Sequence, residues 1–251
     1  MFKVTFRDAR MWKNLLSAIA TLVEEANFEV STEGLKLRSM DPSHVAMVDF
    51  EWPSTAFEEY SCPTPAKVRL NVNSMLKLLR RVSTDERLDI SYDESTKKVD
   101  LILKGKMLRK FSMPTLEASE EEVPTPKIEF KTRVKMLSAG LRDIVEDCQA
   151  ISDNVKLEST PEKFLVSSAG ELTSATMELT KETEILLELD TQEPSKATFS
   201  LNYLADIVKA ASSTSEIVVV EFSSNMPVRL RFDVPQQGHL QYYLAPRIEP
   251  E

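Results

Sequence analysis

A weak internal repeat constrains this chain more than any other feature of its sequence. Val72 and Met75, two apolar positions of a helical segment, recur about half a chain length later as Leu201 and Leu204. In both copies a strand pattern follows the helical pattern. Self-similarity of this kind indicates two copies of one fold within the 251 residues. We therefore expect two similar domains of about 120 residues each, which is an ordinary domain size.

Two hydrophobic periodicities predict the secondary structure of each copy. Alternation with period two indicates half-buried strands, most clearly in residues 2–6, 68–72, 88–92, 99–103, 218–222 and 228–234. Helical spacing of apolar residues occurs in four other stretches, namely 9–22, 73–82, 134–145 and 201–211. Four helices among many strands predict an α+β fold in which each domain has antiparallel sheets and two helices.

The segment between the two copies has the composition of a connector. Residues 114–127, PTLEASEEEVPTPK, are rich in proline and glutamate and show no hydrophobic periodicity. Such a segment is typically extended and solvated. The sequence therefore predicts domains at residues 1–114 and 129–251, joined by a loop at 115–128.

Composition argues against several functional classes. The five glycines are too widely spaced for a phosphate-binding loop, and the two cysteines and two histidines lack metal-ligand spacing. We expect no metal and no cofactor. A hydrolase is the rival hypothesis, but no nucleophile elbow is present and neither histidine has a nucleophile in a recognisable context, so we expect no enzyme. No stretch has the length of a membrane span or the pattern of a signal peptide, which predicts an intracellular protein.

The net charge of −9 argues against nucleic-acid binding unless the cations are concentrated on one surface. Helical spacing gathers Lys77, Arg80 and Arg81 on the polar side of the second predicted helix. Cations on such a surface would contact the duplex backbone without selecting a base sequence. The alternative is that these are ordinary solvated helix faces.

Two other predicted helices repeat this arrangement. Arg10 and Lys13 are three positions apart in the first helix, and Lys135 and Arg142 are seven positions apart in the third. Both spacings place the paired cations on one helix face. We therefore expect the four helices to be positively charged as a group, while the rest of the chain is strongly negative.

Three strings resemble a known family. The runs SMDPSHVAMVDF (Ser39–Phe50), LNVNSMLKLLRR (Leu70–Arg81) and GHLQYYLAPRIE (Gly238–Glu249) are similar to the proliferating cell nuclear antigen family of sliding DNA clamps, most of all to archaeal members. The resemblance covers essentially the whole chain. It implies a trimeric ring with pseudo-sixfold symmetry, in which helices line the hole around duplex DNA.

The resemblance also implies roles for individual positions. The residues that would face DNA are Arg10, Lys13, Lys77, Arg80, Arg81, Arg142 and Lys209. The residues of a pocket that would accept PIP-box peptides are Met40, His44, Val45, Met47, Val123, Pro124, Pro227, Tyr243, Ala245, Pro246 and Ile248. Subunit contacts would join residues 106–113, with Arg109 and Lys110, to residues 174–180, with Glu178, of a neighbouring subunit.

The partners implied by the resemblance are double-stranded DNA and proteins that carry PIP-box peptides: DNA polymerase, clamp loader, flap endonuclease and DNA ligase. The ring could be a homotrimer or a heterotrimer of related subunits. Its compartment would be the archaeal cytoplasm and nucleoid, or the nucleus in a eukaryote. The alternative function is a monomeric protein-interaction module without a DNA role.

Overall fold

The structure, a computed structural model, describes residues 1–118 and 123–248. The chain divides into two compact units. Unit 1 comprises Met1–Pro42, Val48–Val123 and Val234–Leu240, and unit 2 comprises Ser43–Met47, Pro124–Asp233 and Gln241–Glu251. In the described ranges, no helix has the length and apolar character needed to span a membrane. The boundaries predicted for the connecting loop, 115–128, stay a prediction, and residues 119–122 lie outside the described part.

Unit 1 contains two helices and two antiparallel sheets. Its elements are β1 (Phe2–Phe6), α1 (Ala9–Ile19), β2 (Glu25–Val30), β3 (Gly34–Met40), β4 (Ala46–Pro53), a short 3-10 helix (Ser54–Ala56), β5 (Glu59–Ser61), β6 (Ala66–Asn71), α2 (Val72–Leu79), β7 (Arg87–Asp93), β8 (Lys98–Lys104) and β9 (Leu108–Pro114). One sheet has the strand order β5-β1-β7-β8-β9, and the other contains β4-β3-β2-β6.

Unit 2 has the same kind of architecture. Its elements are β10 (Thr132–Leu137), α3 (Ser138–Gln149), β11 (Asn154–Ser159), β12 (Lys163–Ala169), β13 (Ser174–Thr180), β14 (Leu186–Thr191), β15 (Ser195–Ser200), α4 (Leu201–Ala211), β16 (Ile217–Phe222), β17 (Val228–Val234) and β18 (Gly238–Leu244). One sheet contains β14-β10-β16-β17-β18, and the other has the order β13-β12-β11-β15.

The two units repeat one topology, which confirms the predicted α+β fold with two similar domains. Strands β1, β7, β8 and β9 correspond in order to β10, β16, β17 and β18, and β6-β2-β3-β4 corresponds to β15-β11-β12-β13. In each unit one helix follows the first strand, and the other follows β6 in unit 1 and β15 in unit 2. The internal repeat in the sequence therefore reflects two copies of the same strand-and-helix unit.

Side-chain caps mark the start of both helices in unit 1. The Asp8 carboxylate accepts the Arg10 backbone N–H at 2.9 Å, and the Asn71 side chain accepts the Ser74 N–H at 2.7 Å. Such caps satisfy backbone donors that have no partner within the helix. In unit 2, neither α3 nor α4 has a side-chain cap at the preceding residue. The starts of α3 and α4 therefore lack this cap signal.

Buried apolar side chains hold each unit together. In unit 1 the ring of Phe6 stacks on that of Trp12 with 5.2 Å between centroids and meets the Phe57 ring edge-on at 5.1 Å. In unit 2, α3 packs against α4, and Val145 and Val208 are both buried. Full burial of a side chain of this size contributes about 1.5–3 kcal/mol relative to exposure. The polar faces of the helices are thereby left on the outside of each core.

Candidate functional sites

A groove between α1 and α2 concentrates positive charge in unit 1. Lys13, Lys77 and Arg80 line it together with the uncharged residues Asn73 and Leu76. The Lys13 Nζ also donates to the Arg80 carbonyl at 3.4 Å, which connects the middle of α1 to the C-terminal cap of α2. Across residues 1–118 and 123–248, no acidic group forms an ion pair with Lys77 or Arg80. The groove therefore presents unopposed cations.

Arg10 and Arg81, the other two predicted DNA-facing residues near α1 and α2, do not line this groove. The Arg10 guanidinium binds the Asp8 carboxylate at 2.7 Å. This hydrogen bond lowers the pKa of Asp8 and raises the pKa of Arg10, so the charge of Arg10 is largely neutralised within the chain. Arg81 is exposed but lies one residue beyond the cap of α2, outside the helix. The structure thus brings together three of these five cations.

The groove between α3 and α4 has mixed charge. Arg142 and Lys209 line it, but so do Glu146 and Asp206. The Arg142 Nη2 lies 3.2 Å from Oδ1 of Asp143, and its Nε lies 4.0 Å from Oε1 of Glu146. Nearby acids offset these cations. We expect this groove to attract phosphate less strongly than the α1/α2 groove.

The predicted bounds of the third helix are wrong. The helical pattern predicts a helix at 134–145, whereas β10 extends through Leu137 and α3 covers Ser138–Gln149. Lys135 therefore lies on a strand and does not share a helix face with Arg142. The true helix also includes Glu146 and Asp147, so α3 carries one arginine and three acidic residues. The expectation that the helices are positive as a group fails for α3.

Most residues of the predicted peptide pocket belong to unit 2, where three chain segments carry them. The Ala245 N–H donates to the Val45 carbonyl at 2.9 Å, which joins the segment 43–47 to the segment after β18. Tyr243 and Met47 are buried. His44 is exposed and has a φ of 56°, a left-handed conformation that places it in the turn before β4.

The remaining pocket residues differ in exposure. In unit 2, Pro246 and Pro227 are half-buried and Pro124 is exposed, while Met40 and Val123 are half-buried residues of unit 1. These assignments to a pocket stay predictions.

Ile248 lies in surroundings that the sequence did not indicate. The Arg247 N–H donates to the Thr198 carbonyl at 2.7 Å, so the tail pairs with the edge strand β15. Ile248 then lines a groove over β11–β13 together with Lys156 and Ser167. Its side chain is 93% exposed. An exposed isoleucine at this position is available to a partner without disturbing the core.

Strands β9 and β13 are the edges of their sheets. Hydrogen-bonded and non-bonded pairs alternate along an antiparallel ladder. The Thr115 N–H donates to the Lys97 carbonyl, so Thr115↔Lys97 is a hydrogen-bonded pair. It is the next pair along the register after Pro114↔Lys98. By alternation, the backbone N–H groups of Lys110 and Ser112 point away from β8 toward the open edge.

The same reasoning applies to β13 in unit 2. The Gly170 N–H donates to the Thr173 carbonyl at 2.8 Å, and the register continues through Ser167↔Thr176. The backbone N–H groups of Thr176 and Glu178 therefore point away from β12. Each unit thus has a strand whose outer backbone groups are arranged for pairing with a further strand.

The side chains predicted for subunit contact are mostly engaged within the chain. Arg109 binds the buried Glu86 carboxylate, with Nη2 at 2.7 and 2.8 Å from its two oxygens. Glu178 pairs with Lys163 across β12 and β13 at 2.8 Å, with both side chains largely exposed. Lys110 is exposed on the edge strand. Of the two cations predicted to face a neighbour, Arg109 instead secures its own strand.

Comparison with known proteins identifies the family. A family model described as the proliferating cell nuclear antigen N-terminal domain matches residues 1–122, and the model of the corresponding C-terminal domain matches residues 124–247. The chain belongs to the proliferating cell nuclear antigen family. The two models cover the two repeated halves in order, which confirms the resemblance predicted from the sequence.

Relatives and a solved structure of this family match over their full length. The chain is 37% identical to "DNA polymerase sliding clamp 1" of Pyrobaculum aerophilum, covering 98% of both chains. It is also 37% identical to the "DNA polymerase sliding clamp" of Thermofilum pendens, covering 99% of this chain and 100% of the relative. The crystal structure of the family member from Thermococcus kodakaraensis superposes with a TM-score of 0.94 at 25% identity, covering 98% and 100% of the two chains. The predicted likeness to archaeal members is confirmed.

A cluster in unit 2 of this family member was missed by the sequence analysis. Arg229 on β17 bonds to Glu221 on β16, with its Nε 2.6 Å from a carboxylate oxygen. Its guanidinium carbon lies 4.9 Å from the centroid of the Phe130 ring. Tyr243, one of the predicted pocket residues, lies beside it on the neighbouring strand β18. Burial lowers the pKa of Arg229, but its interactions with Tyr243 and Glu221 outweigh this effect and leave the pKa raised.

Proposed function

We propose that this chain is the subunit of a DNA polymerase sliding clamp, a non-catalytic ring that encircles duplex DNA and tethers replication and repair proteins. The observation that carries the proposal is the full-length match to proteins named DNA polymerase sliding clamp. A closed ring leaves DNA only by opening or by reaching an end, so weak backbone contacts suffice. Tethering raises the effective concentration of bound enzymes at the primer end.

Ring closure is proposed to occur by strand pairing between subunits. The open edges of β9 and β13 support this, since both present outward backbone groups that need partners or protection. A contact between two different surfaces is heterologous, and it closes into a ring when the rotation per subunit returns to the start. Three subunits, with two similar units each, would give the pseudo-sixfold ring. We propose that the protein lies in the cellular compartment that contains the DNA.

The DNA-facing role is assigned chiefly to the α1/α2 groove. Lys13, Lys77 and Arg80 present cations there, and no acidic residue is among the described residues that line the groove. Proteins bind the phosphate backbone by releasing condensed counterions, which requires such unopposed charges. Arg10, Arg81, Arg142 and Lys209 are proposed to make lesser contributions, because they are paired, outside the helix or beside acids.

Neutralising the α1/α2 groove is expected to weaken DNA binding more than neutralising the α3/α4 groove. The plot of log affinity against log salt has a negative slope. Lys77→Gln with Arg80→Gln should make this slope less steep by about 0.9 for each phosphate that the protein no longer neutralises. The matched control, Arg142→Gln with Lys209→Gln, removes the same charge from the groove that contains Glu146 and Asp206. Salt titration of each variant on duplex DNA measures the slopes. Equal slopes for the two variants would contradict the assignment.

The peptide-binding role is proposed for the surface around Tyr243, Ala245 and the segment 43–47. Methionine and tyrosine there suit aromatic and aliphatic anchors, because methionine adapts its shape and tyrosine offers a large ring with a polar end. The proposed partners are DNA polymerase, clamp loader, flap endonuclease and DNA ligase through their PIP-box peptides. The pocket members Met40, Val123, Pro124, Pro227, Pro246 and Ile248 remain part of this proposal.

A further inference from the structure

Arg229 on β17 lies against more groups than its ion pair with Glu221 requires. It lies directly opposite Glu221 in the β16/β17 register, and its side chain is only 26% exposed. A single carboxylate already satisfies its charge, with Nε and Nη2 both bonded to one oxygen of Glu221. The guanidinium nevertheless makes two more contacts, to Phe130 and to Tyr243.

The contact with Phe130 fixes a segment that has little regular structure. Residues 123–130 contain no helix or strand, and β10 begins only at Thr132. A guanidinium over an aromatic face is attracted to the ring weakly when the pair is exposed and more strongly when it is desolvated. Phe130 is half-buried, so the stack lies between these cases. Arg229 therefore ties the end of this segment to the sheet.

Tyr243 is the second aromatic residue beside Arg229, on the neighbouring strand β18. The Tyr243 hydroxyl donates to Gln241 Oε1 at 3.3 Å. Both Tyr243 and Gln241 are buried. A planar, forked guanidinium can bond a carboxylate and a hydroxyl while it stacks on a ring, whereas an ammonium cannot satisfy all three geometries. One side chain thus connects two aromatic rings.

We propose that Arg229 is a positioning residue for the peptide site, holding the Phe130 and Tyr243 rings where an aromatic peptide anchor binds. This inference rests on the proposed function, because it assigns Arg229 to the peptide site around Tyr243. A wall that is already ordered lowers the entropy lost on binding, which increases affinity. Arg229 acts through the two rings and does not need to touch the peptide.

The test measures binding of a fluorescent synthetic PIP-box peptide by full-length protein. Arg229→Met alone would leave Glu221 without a counterion, so it is combined with Glu221→Gln. We expect the double variant to bind the peptide about tenfold more weakly, since it lacks both the ring stack on Phe130 and the guanidinium beside Tyr243. Glu221→Gln alone should bind within twofold of the wild type. Arg231→Met is a surface control on the same strand and should also be unchanged.

Arg229→Lys separates positioning from simple structural support. Lysine keeps a charge opposite Glu221, so we expect Arg229→Lys to keep the melting temperature of the wild type while its peptide binding is about fivefold or more weaker. Affinity within twofold of the wild type for either Arg229 variant would overturn the inference and leave the peptide site itself intact. A wild-type protein that binds no peptide would reject the proposed site and the role of Arg229 together.

Discussion

Replacing Ser112 with proline is expected to dissociate the assembly into single subunits. The Ser112 N–H points away from β8, so proline removes no hydrogen bond of the β8/β9 ladder. Proline is tolerated at such outward positions of edge strands, and Pro114 already occupies one in the same strand. A pairing strand from another subunit, however, would lose a donor and meet the proline ring. The loss should be largest at low protein concentration.

Light scattering across the micromolar range measures this effect. Wild type should have a mass near three subunits, and Ser112→Pro should have a mass near one. Ser112→Ala is the matched control, because it removes the hydroxyl but keeps the backbone N–H, and it should remain trimeric. A trimer for Ser112→Pro at all concentrations would show that β9 does not form the subunit contact. A monomeric wild type would favour the interaction-module alternative.

Replacing Arg109 with methionine is expected to lower the free energy of unfolding by about 3 kcal/mol, the cost typical of removing one partner from a buried ion pair. Glu86 is buried, and its carboxylate accepts hydrogen bonds from Arg109 and from the Ser83 N–H at 2.8 Å. Lys163→Met is the matched control, since it breaks the exposed pair with Glu178. That change should cost under about 1 kcal/mol. Urea denaturation of both variants measures the difference.

The cost of Arg109→Met should depend on pH. Hydrogen bonds from Ser83 and Arg109 lower the pKa of Glu86 below its ordinary value of 4.5, against the effect of burial. Ionised Glu86 therefore stabilises the fold above about pH 4.5, and this stabilisation is lost as the pH falls through the lowered pKa. The difference between wild type and Arg109→Met should be full at neutral pH and shrink in acid. Identical unfolding of Arg109→Met and Lys163→Met at pH 7 would contradict this account.

The fold could be predicted largely because its information is periodic and local. The repeat of Val72 and Met75 as Leu201 and Leu204 predicts two similar units, and the predicted start of a capped helix such as α1 agrees with the structure. The start of α3 is misplaced because the alternation of β10 continues directly into the helical pattern, and Leu137 offers no side-chain cap. Leu137 therefore gives no cap signal for this boundary. The uncapped helix α4 nevertheless starts at the predicted Leu201.

The candidate sites were less predictable because their electrostatics depend on contacts between distant residues. Helical spacing correctly places Lys77 and Arg80 close together, since they are only three positions apart at the end of one helix. It could not show that Arg109 binds Glu86, a partner 23 positions earlier. Nor could it place Phe130 beside Arg229, because that contact arises from the tertiary arrangement of β17 and the segment before β10. Charge patterns give the sign of a residue, and the fold decides which charges are neutralised.

A ring that encircles duplex DNA differs topologically from a protein that only binds the surface of the DNA. The protein would be loaded with its clamp loader onto a nicked circular plasmid, purified with the DNA at moderate salt, and challenged by cutting the plasmid once. We predict that the protein remains on the circle and is released from the linear product, and that blocking both ends of the linear DNA retains it. Equal retention on circular and unblocked linear DNA would contradict an encircling clamp.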